Sequence, residues 1–359
     1  MTIDHIKLFK SINPYDFGII SYLHSQNDIL SAGGSVHSLS VSIGVPFSEN
    51  LVESFYLEYF MRGVQIKASK DDAYLAAGHS YQTEEPAVTI TMNGSIKQKS
   101  KKYLANKGNL IYLSKPLGTG YLLAAYFQNS KLLSISDFEK LLRYLKKSND
   151  SAAKSGFSYG SQLMTDISGF GLASHLGDVC QSSNLSAQIQ LNKDILINDK
   201  LEILKNFESS GYKNNYLSSF GLIGIKDDHP LLKIVFDPQT NGPLLIAIDK
   251  EKKNEFENNF EKNYFAKPIL IGENVKSEAG ITADPKQPEQ WLMHLLDRNM
   301  YHILVEGGAS ILEFFIDNGL ADEVHRYTSS LSVLDGVTGP TYKWFDSSNR
   351  LGEDRYDRN

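Results

Sequence analysis

A chain of 359 residues, 41% of them hydrophobic, is long enough for two or three domains with buried cores. Its net charge of −6 leaves no cationic footprint for nucleic acid or for an anionic membrane surface. The one cysteine, Cys180, rules out an internal disulfide and fits a reducing, cytoplasmic compartment. No apolar run reaches the ~18 residues of a membrane span, and the opening M-T-I-D-H-I-K-L-F-K lacks the apolar core of a signal peptide.

In chain order, Ser38 to Val45 alternates cleanly, with Leu39, Val41, Ile43 and Val45 on one face, and predicts a half-buried strand. Val52, Phe55, Tyr56, Tyr59 and Phe60 recur at helical spacing and predict a helix whose stripe packs into the core. Val88, Ile90 and Met92 alternate with Thr89 and Thr91, a second strand. Asp137 to Lys147 predicts a helix with Phe138, Leu141, Leu142 and Leu145 inward. Short strands are predicted at Leu232–Phe236, Leu244–Ile248 and Pro268–Ile271. This mixture points to an α+β fold, with antiparallel or mixed sheets carrying helices on one face rather than a doubly wound parallel sheet.

Leu163 to Ala187 is the segment richest in chemistry. Asp166 ends an apolar-plus-Thr approach, Ser168 to Gly171 forms a Gly-rich turn, and Leu172, Leu176 and Val179 then repeat at helical spacing. A carboxylate at a strand end beside a helix N-terminus suits a metal-bound phosphate, the acid holding Mg²⁺ and the amides facing the anion. On residue chemistry alone the same segment reads equally as a Gly-rich loop with a capping acid.

Four collinear motifs extend that pattern. T-D-I-S-G-F-G-L-A-S-H-L (Thr165 to Leu176), N-P-Y-D-F-G … N-D-I-L-S-A-G-G (Asn13 to Gly34), L-S-K-P-L-G-T-G (Leu113 to Gly120) and F-D-P-Q-T-N-G-P-L-L (Phe236 to Leu245) resemble motifs of selenophosphate synthetases. These enzymes, also called selenide, water dikinases, belong to an ATP-binding superfamily that includes aminoimidazole ribonucleotide synthetase. The resemblance implies two superfamily-type halves, residues 1–105 and 106–275, and a homodimer built on the first. It implies ATP and selenide as substrates and Mg²⁺ as cofactor. Asp28 and Asp166 match metal ligands of the family. Asp4, Asp28 and the Ala77-Gly78-His79 segment match nucleotide contacts, the last in a loop that reaches the partner subunit's nucleotide. Gly78 would let backbone amides approach phosphate.

Other matched positions carry architectural alternatives. Lys115 is a candidate phosphate contact or a turn residue. Asp237 and Gln239 are expected to shape a closing loop, where Pro243 replaces a family glycine. Cys180 reads as a buried structural thiol. The family's Gly-rich loop with its Cys or selenocysteine and Lys, and its D-D-A acid, have no counterpart in this sequence, and Asp71-Asp72 stands in a different context. No catalytic residue is therefore assigned, and activity is expected to be weak or lost. A non-catalytic nucleotide-binding or dimerisation module, or a gene-fusion fragment, is the alternative.

A boundary is expected between Gly272 and Pro285. Beyond it, Y-H-I-L-V-E-G-G (Tyr301 to Gly308) and the helical stretch after it resemble the end of the riboflavin-pathway pyrimidine reductase domain. That resemblance implies a partial dihydrofolate-reductase-like tail over 285–359, and NADPH-dependent reduction as a further alternative activity.

Overall fold

The structure is a computed structural model. It describes residues 1–7, 12–96, 105–128, 131–161, 163–223, 229–264 and 266–276, and a few short segments beyond them. Residues Met1–Ala279 form one compact unit and Gly280–Asn359 another.

Two sheets organise the first unit. The first contains β1 (Thr2–Lys7), β2 (Gly34–Pro46), β3 (Tyr74–Thr83) and β4 (Ala87–Ile96) in the order β1-β4-β2-β3. β4 pairs antiparallel with both β1 and β2, while β2 and β3 run parallel. Leu39, Val41, Ile43 and Val45 are buried, as the alternation predicts, and so are Val88, Ile90 and Met92 of β4.

Helices α1 (Pro14–Ser31) and α2 (Asn50–Ala68) cover that apolar face. Asn13 starts α1: its side chain accepts from the Asp16 amide at 2.8 Å, and Pro14 loses no bond as the first helical residue. The two helices cross closely at glycines. A Cβ at Gly18 would sit 2.1 Å from Phe60 O, and one at Gly63 would sit 2.1 Å from Tyr15 O. Phe60, Val64 and Ala68 bury the C-terminal half of α2. The core expectation fails for its start, where Val52 is 52% and Phe55 53% exposed. There Phe55 rests against Tyr59 with ring centroids 4.1 Å apart.

The second sheet follows. Its strands are β5 (Leu110–Leu113), β6 (Leu163–Asp166), β7 (Leu185–Ile189), β8 (Leu244–Ile248) and β9 (Ile269–Lys276), ordered β6-β8-β5-β9-β7 and antiparallel throughout. Around it lie α3 (Thr119–Phe127), α4 (Ile135–Leu145), α5 (Asp150–Ser158), α6 (Gly171–Ser183), α7 (Leu201–Asn206), α8 (Tyr212–Ser219) and α9 (Lys253–Tyr264). A Ser134–Asp137 capping box opens α4. The predicted strand at Leu232–Phe236 is instead a 3-10 turn over Leu232–Val235. Its Ile234, Val235 and Phe236 are all buried. Consecutive burial does not decide the element, since β8 is buried at every position and is a strand.

Among the described residues no helix is long and apolar enough to cross a membrane. In the second unit the described strands are β10 (His325–Thr328), β11 (Ser348–Leu351) and β12 (Asp354–Arg358), ordered β10-β12-β11. The reductase-like expectation for 285–359, including Tyr301 to Gly308, lies otherwise outside the described residues.

Candidate functional site

The three candidate acids sit on three different elements. Asp4 stands on β1, in the row Asp4–Ile90–Val41–Gly78 that runs across the first sheet. Ile90 and Val41 are buried, so this row faces the helices. Asp28 lies in the last turn of α1, not in a loop, and Asp166 is the last residue of the fully buried strand β6.

Two hydroxyls tie these acids together. Thr2 Oγ1 donates to Asp28 Oδ2 at 2.6 Å, which fixes the start of β1 to the end of α1. Ser31 Oγ lies 3.1 Å from the Asp28 carbonyl and 3.5 Å from Asp166 Oδ1, so one hydroxyl spans the first half and the second. His24, Asp28 and Ser31 share one face of α1 by helical spacing. His24 Nε2 is 3.8 Å from Asp4 Oδ1. A cavity of about 270 Å³ opens beside Thr2 and Asp28.

Burial raises the Asp4 carboxyl above the usual aspartate range. The nearby His24 opposes this and the Asp28 charge adds to it. The Ser25 and Thr2 hydroxyls pull the carboxyl back down, although Asp4 Oδ2 itself makes no close hydrogen bond among the described residues. An orphaned carboxylate oxygen beside a second acid is the environment a divalent cation would relieve. Among the described residues no group of three or more His, Cys, Asp or Glu side chains is placed to hold a metal ion together. Mg²⁺ needs no such group, since it is typically held by one or two carboxylates with substrate phosphates and water completing the shell. The acids present therefore fit Mg²⁺.

At Asp166 the sequence reading of a strand, a Gly-rich turn and a helix matches the structure. Gly171 opens α6 at φ 75°, and a Cβ there would meet Val235 O at 2.9 Å. His175, in the first turns of α6, accepts from the Ser168 amide at 3.4 Å and holds the turn.

Ala77, Gly78 and His79 do not join the acids. They lie in the exposed edge strand β3 rather than in a loop. Three strand spacings separate β3 from β1, roughly 14 Å. The ladder continues His5–Thr89–Ser42–His79, which puts His79 on the face opposite Asp4. A Cβ at Gly78 would find its nearest neighbour, Val41 O, at 3.8 Å, so no contact within the chain demands glycine there.

The remaining matched residues are structural. Lys115 is 3% exposed; its Nζ donates to Lys147 O at 3.1 Å and stands 4.7 Å over the Tyr144 ring. Burial, with Lys147 nearby, holds its ammonium well below the ordinary lysine range. Gln239 Oε1 accepts from the Gly118 and Thr119 amides, and Asp237 Oδ2 from the Gly120 amide, so the two cap the N-terminus of α3. Burial pushes the Asp237 carboxyl up to about 8, against the hydrogen bonds from Gln239 and Gly120. Burial also pushes the Cys180 thiol up to about 11, as suits a structural cysteine. Asp71 accepts from Tyr22 and Gln26 at 2.5 and 2.6 Å and locks α1 to the end of α2.

Sequence reasoning missed Thr2, His24, Ser31 and Asn241. Thr2 was legible as the same-face neighbour of Asp4 on a strand, and His24 as the residue four before Asp28 on a helix. Asn241 had no local signal, because its partners are Asn27, Leu145 and Lys147.

Comparison with known proteins identifies the family of both halves. Residues 1–96 match the N-terminal domain model of AIR synthase related proteins, and residues 106–283 match the C-terminal domain model. A selenide, water dikinase of Shewanella sp. (strain MR-4) is 30% identical over 246 residues, covering 68% of each chain. The chain belongs to the AIR synthase related protein family. Its mixed α/β fold is the family's, with both halves present. Thiamine monophosphate kinase from Aquifex aeolicus superposes with a TM-score of 0.56 at 18% identity, over 77% of this chain and 84% of that one. Hydrogenase maturation protein HypE in complex with ATP gives a TM-score of 0.56 at 14% identity, over 77% and 76%. At these identities the likeness is one of fold.

Proposed function

We propose that this AIR synthase related chain is a Mg²⁺-dependent phosphotransferase of the selenophosphate synthetase type. It would convert ATP, selenide and water to selenophosphate, AMP and phosphate. The observation that carries this is the linkage of Asp28 to Asp166 through Ser31, with Thr2 on Asp28 and the partly buried Asp4 carboxyl close enough to feel the Asp28 charge. Asp28 and Asp166 are the residues to hold Mg²⁺, and Asp4 and Asp28 face the ATP phosphates. Bound there, the ion would offset phosphate charge as the γ-phosphoryl group leaves. The kinship with selenide, water dikinases supports selenide as the acceptor. A cytoplasmic setting goes with it, since selenide and a free thiol both persist under reducing conditions.

Strand β3 is an exposed sheet edge with free main-chain groups on one side. Docking a second copy there would cover that edge. It would also bring Ala77, Gly78 and His79 towards the partner's nucleotide, so the proposed enzyme is a homodimer.

One observation favours a second reading, a module that binds nucleotide without turnover. Lys115, the lysine of the matched motifs, turns its Nζ to a carbonyl inside the fold, and the Cys180 thiol is held protonated. Mg²⁺-dependent ATP consumption with and without selenide separates the two. Selenide-stimulated release of AMP is expected. Binding without turnover supports the module, and no Mg²⁺-dependent ATP binding sinks both.

A further inference from the structure

Asn241 has its backbone in the left-handed region, at φ 44°. Its side chain is pinned on three sides: Nδ2 donates to Leu145 O at 2.6 Å and Lys147 O at 3.1 Å, and Oδ1 accepts from Asn27 at 3.0 Å. Its backbone N–H then donates to His24 Nδ1 at 3.0 Å. A peptide N–H only donates, so His24 Nδ1 carries a lone pair and the ring proton sits on Nε2. Nε2 is the nitrogen that faces Asp4 Oδ1, at 3.8 Å. The ring is largely covered, with 13% of the side chain exposed, so little else competes for that proton.

We propose that His24 is a positioning residue for Asp4, its tautomer fixed by Asn241 so that Nε2–H orients the carboxylate. A loop of the second half thereby sets the aim of an acid in the first. At 3.8 Å the Nε2–H acts on Asp4 Oδ1 as an oriented dipole rather than as a hydrogen bond, and it leaves Oδ2 to a cation or the nucleotide. This is the arrangement by which an outer residue tunes a carboxylate that itself touches the ligand. The inference rests on Asp4 belonging to the proposed Mg·ATP site.

Two near-isosteres divide the roles of the ring. Gln places an amide N–H at the Nε2 position, and Asn places an amide oxygen at the Nδ1 position. Binding of Mg²⁺ with AMPPCP is measured by calorimetry on the full chain, with circular dichroism as the check on folding. His24→Gln is expected to stay within about threefold of wild type, and His24→Asn to weaken binding roughly tenfold, the scale of outer-shell effects. The reverse order overturns the proposal, because the bond to Asn241 alone would then matter, and equal affinities overturn it because the Nε2–H would then do no more than the Nδ1 lone pair.

A second readout needs no nucleotide: long-range ¹H–¹⁵N correlation on ¹⁵N-histidine protein. His24 is expected as the Nε2–H tautomer, with an Nε2 resonance that moves in Asp4→Asn. An Nδ1–H tautomer, or an unmoved Nε2, overturns the proposal even if both His24 variants fail to fold. If wild type binds no Mg·AMPPCP, the phosphotransferase reading fails and the resonance experiment alone decides the role of His24.

Discussion

Replacing Asn241 by alanine tests the seam between the halves most directly. The side chain is fully buried, and Ala would remove its three side-chain hydrogen bonds. Lys147 O keeps its bond from Lys115, but Leu145 O and Asn27 Nδ2 lose theirs. Each buried polar group left unpaired costs about 1–3 kcal/mol, so these two together cost about 4 kcal/mol. The left-handed backbone, which Asn tolerates better than Ala, adds about 1 kcal/mol. Asn241→Gly escapes the second cost and not the first. The expected losses in urea unfolding, followed by far-UV circular dichroism, are therefore about 5 kcal/mol for Ala and about 4 kcal/mol for Gly. A loss below about 1 kcal/mol for Ala would refute the seam as described, since one unpaired group alone accounts for that much. Ala more stable than Gly would refute the backbone part.

Asp28→Asn and Asp166→Asn should each weaken Mg²⁺-dependent nucleotide binding by about tenfold or more, because a neutral amide gives up the charge a hard cation requires. Unchanged affinity in calorimetry would remove that residue from the site. Burial pushes the Asp237 carboxyl up to about 8, far above the ordinary aspartate range. Its contribution is therefore full below about pH 4 and is lost as pH rises through about 8. Asp237→Asn should gain melting temperature relative to wild type between pH 5 and pH 8, and parallel curves would contradict this. Cys180 should resist iodoacetamide at pH 8 in the folded protein and react on unfolding, given a thiol at about 11. Rapid labelling of native protein would show the thiolate to be accessible. Sedimentation at micromolar concentration should show a dimer, and a monomer alone would count against pairing at β3.

The sequence exposed what local pattern encodes. The strands at β2 and β4 and the helix at α4 follow from alternation or helical spacing, because each has one apolar face and one more polar face, whereas β8 is read from a short, wholly apolar run. The turn at Leu232–Val235 was misread because its apolar residues are buried on successive positions, where period carries no information. The start of α2 was misread for the converse reason. Val52 and Phe55 keep the apolar spacing, but the covered face of α2 begins further along the helix, with Tyr56 and Leu57 partly buried and Phe60 fully so. Periodicity shows which residues share a side of a helix, not whether anything lies against that side.

The site divides along the same line. Asp28 and Asp166 stand in distinctive motifs and were legible; the groups that aim them were not. Ser21, Ser25, Gln26, Asn27 and Ser31 of α1 are polar, yet all are buried. A polar face survives burial only if its hydrogen bonds are made. Several partners here lie far along the chain: Asn149 for Asn27, Ser148 for Gln26, Asn241 for both His24 and Asn27. Ser21 Oγ is buried without a partner among the described residues. The Ser25 hydroxyl acts on Asp4, on the strand beneath α1, and with Thr2 it lowers that carboxyl against the rise that burial imposes. A core selected only for stability would place apolar side chains at such positions, because a buried polar group left unpaired costs about 1–3 kcal/mol. The serine at position 25 is therefore kept beside the one acid of β1, where the proposed Mg·ATP site lies.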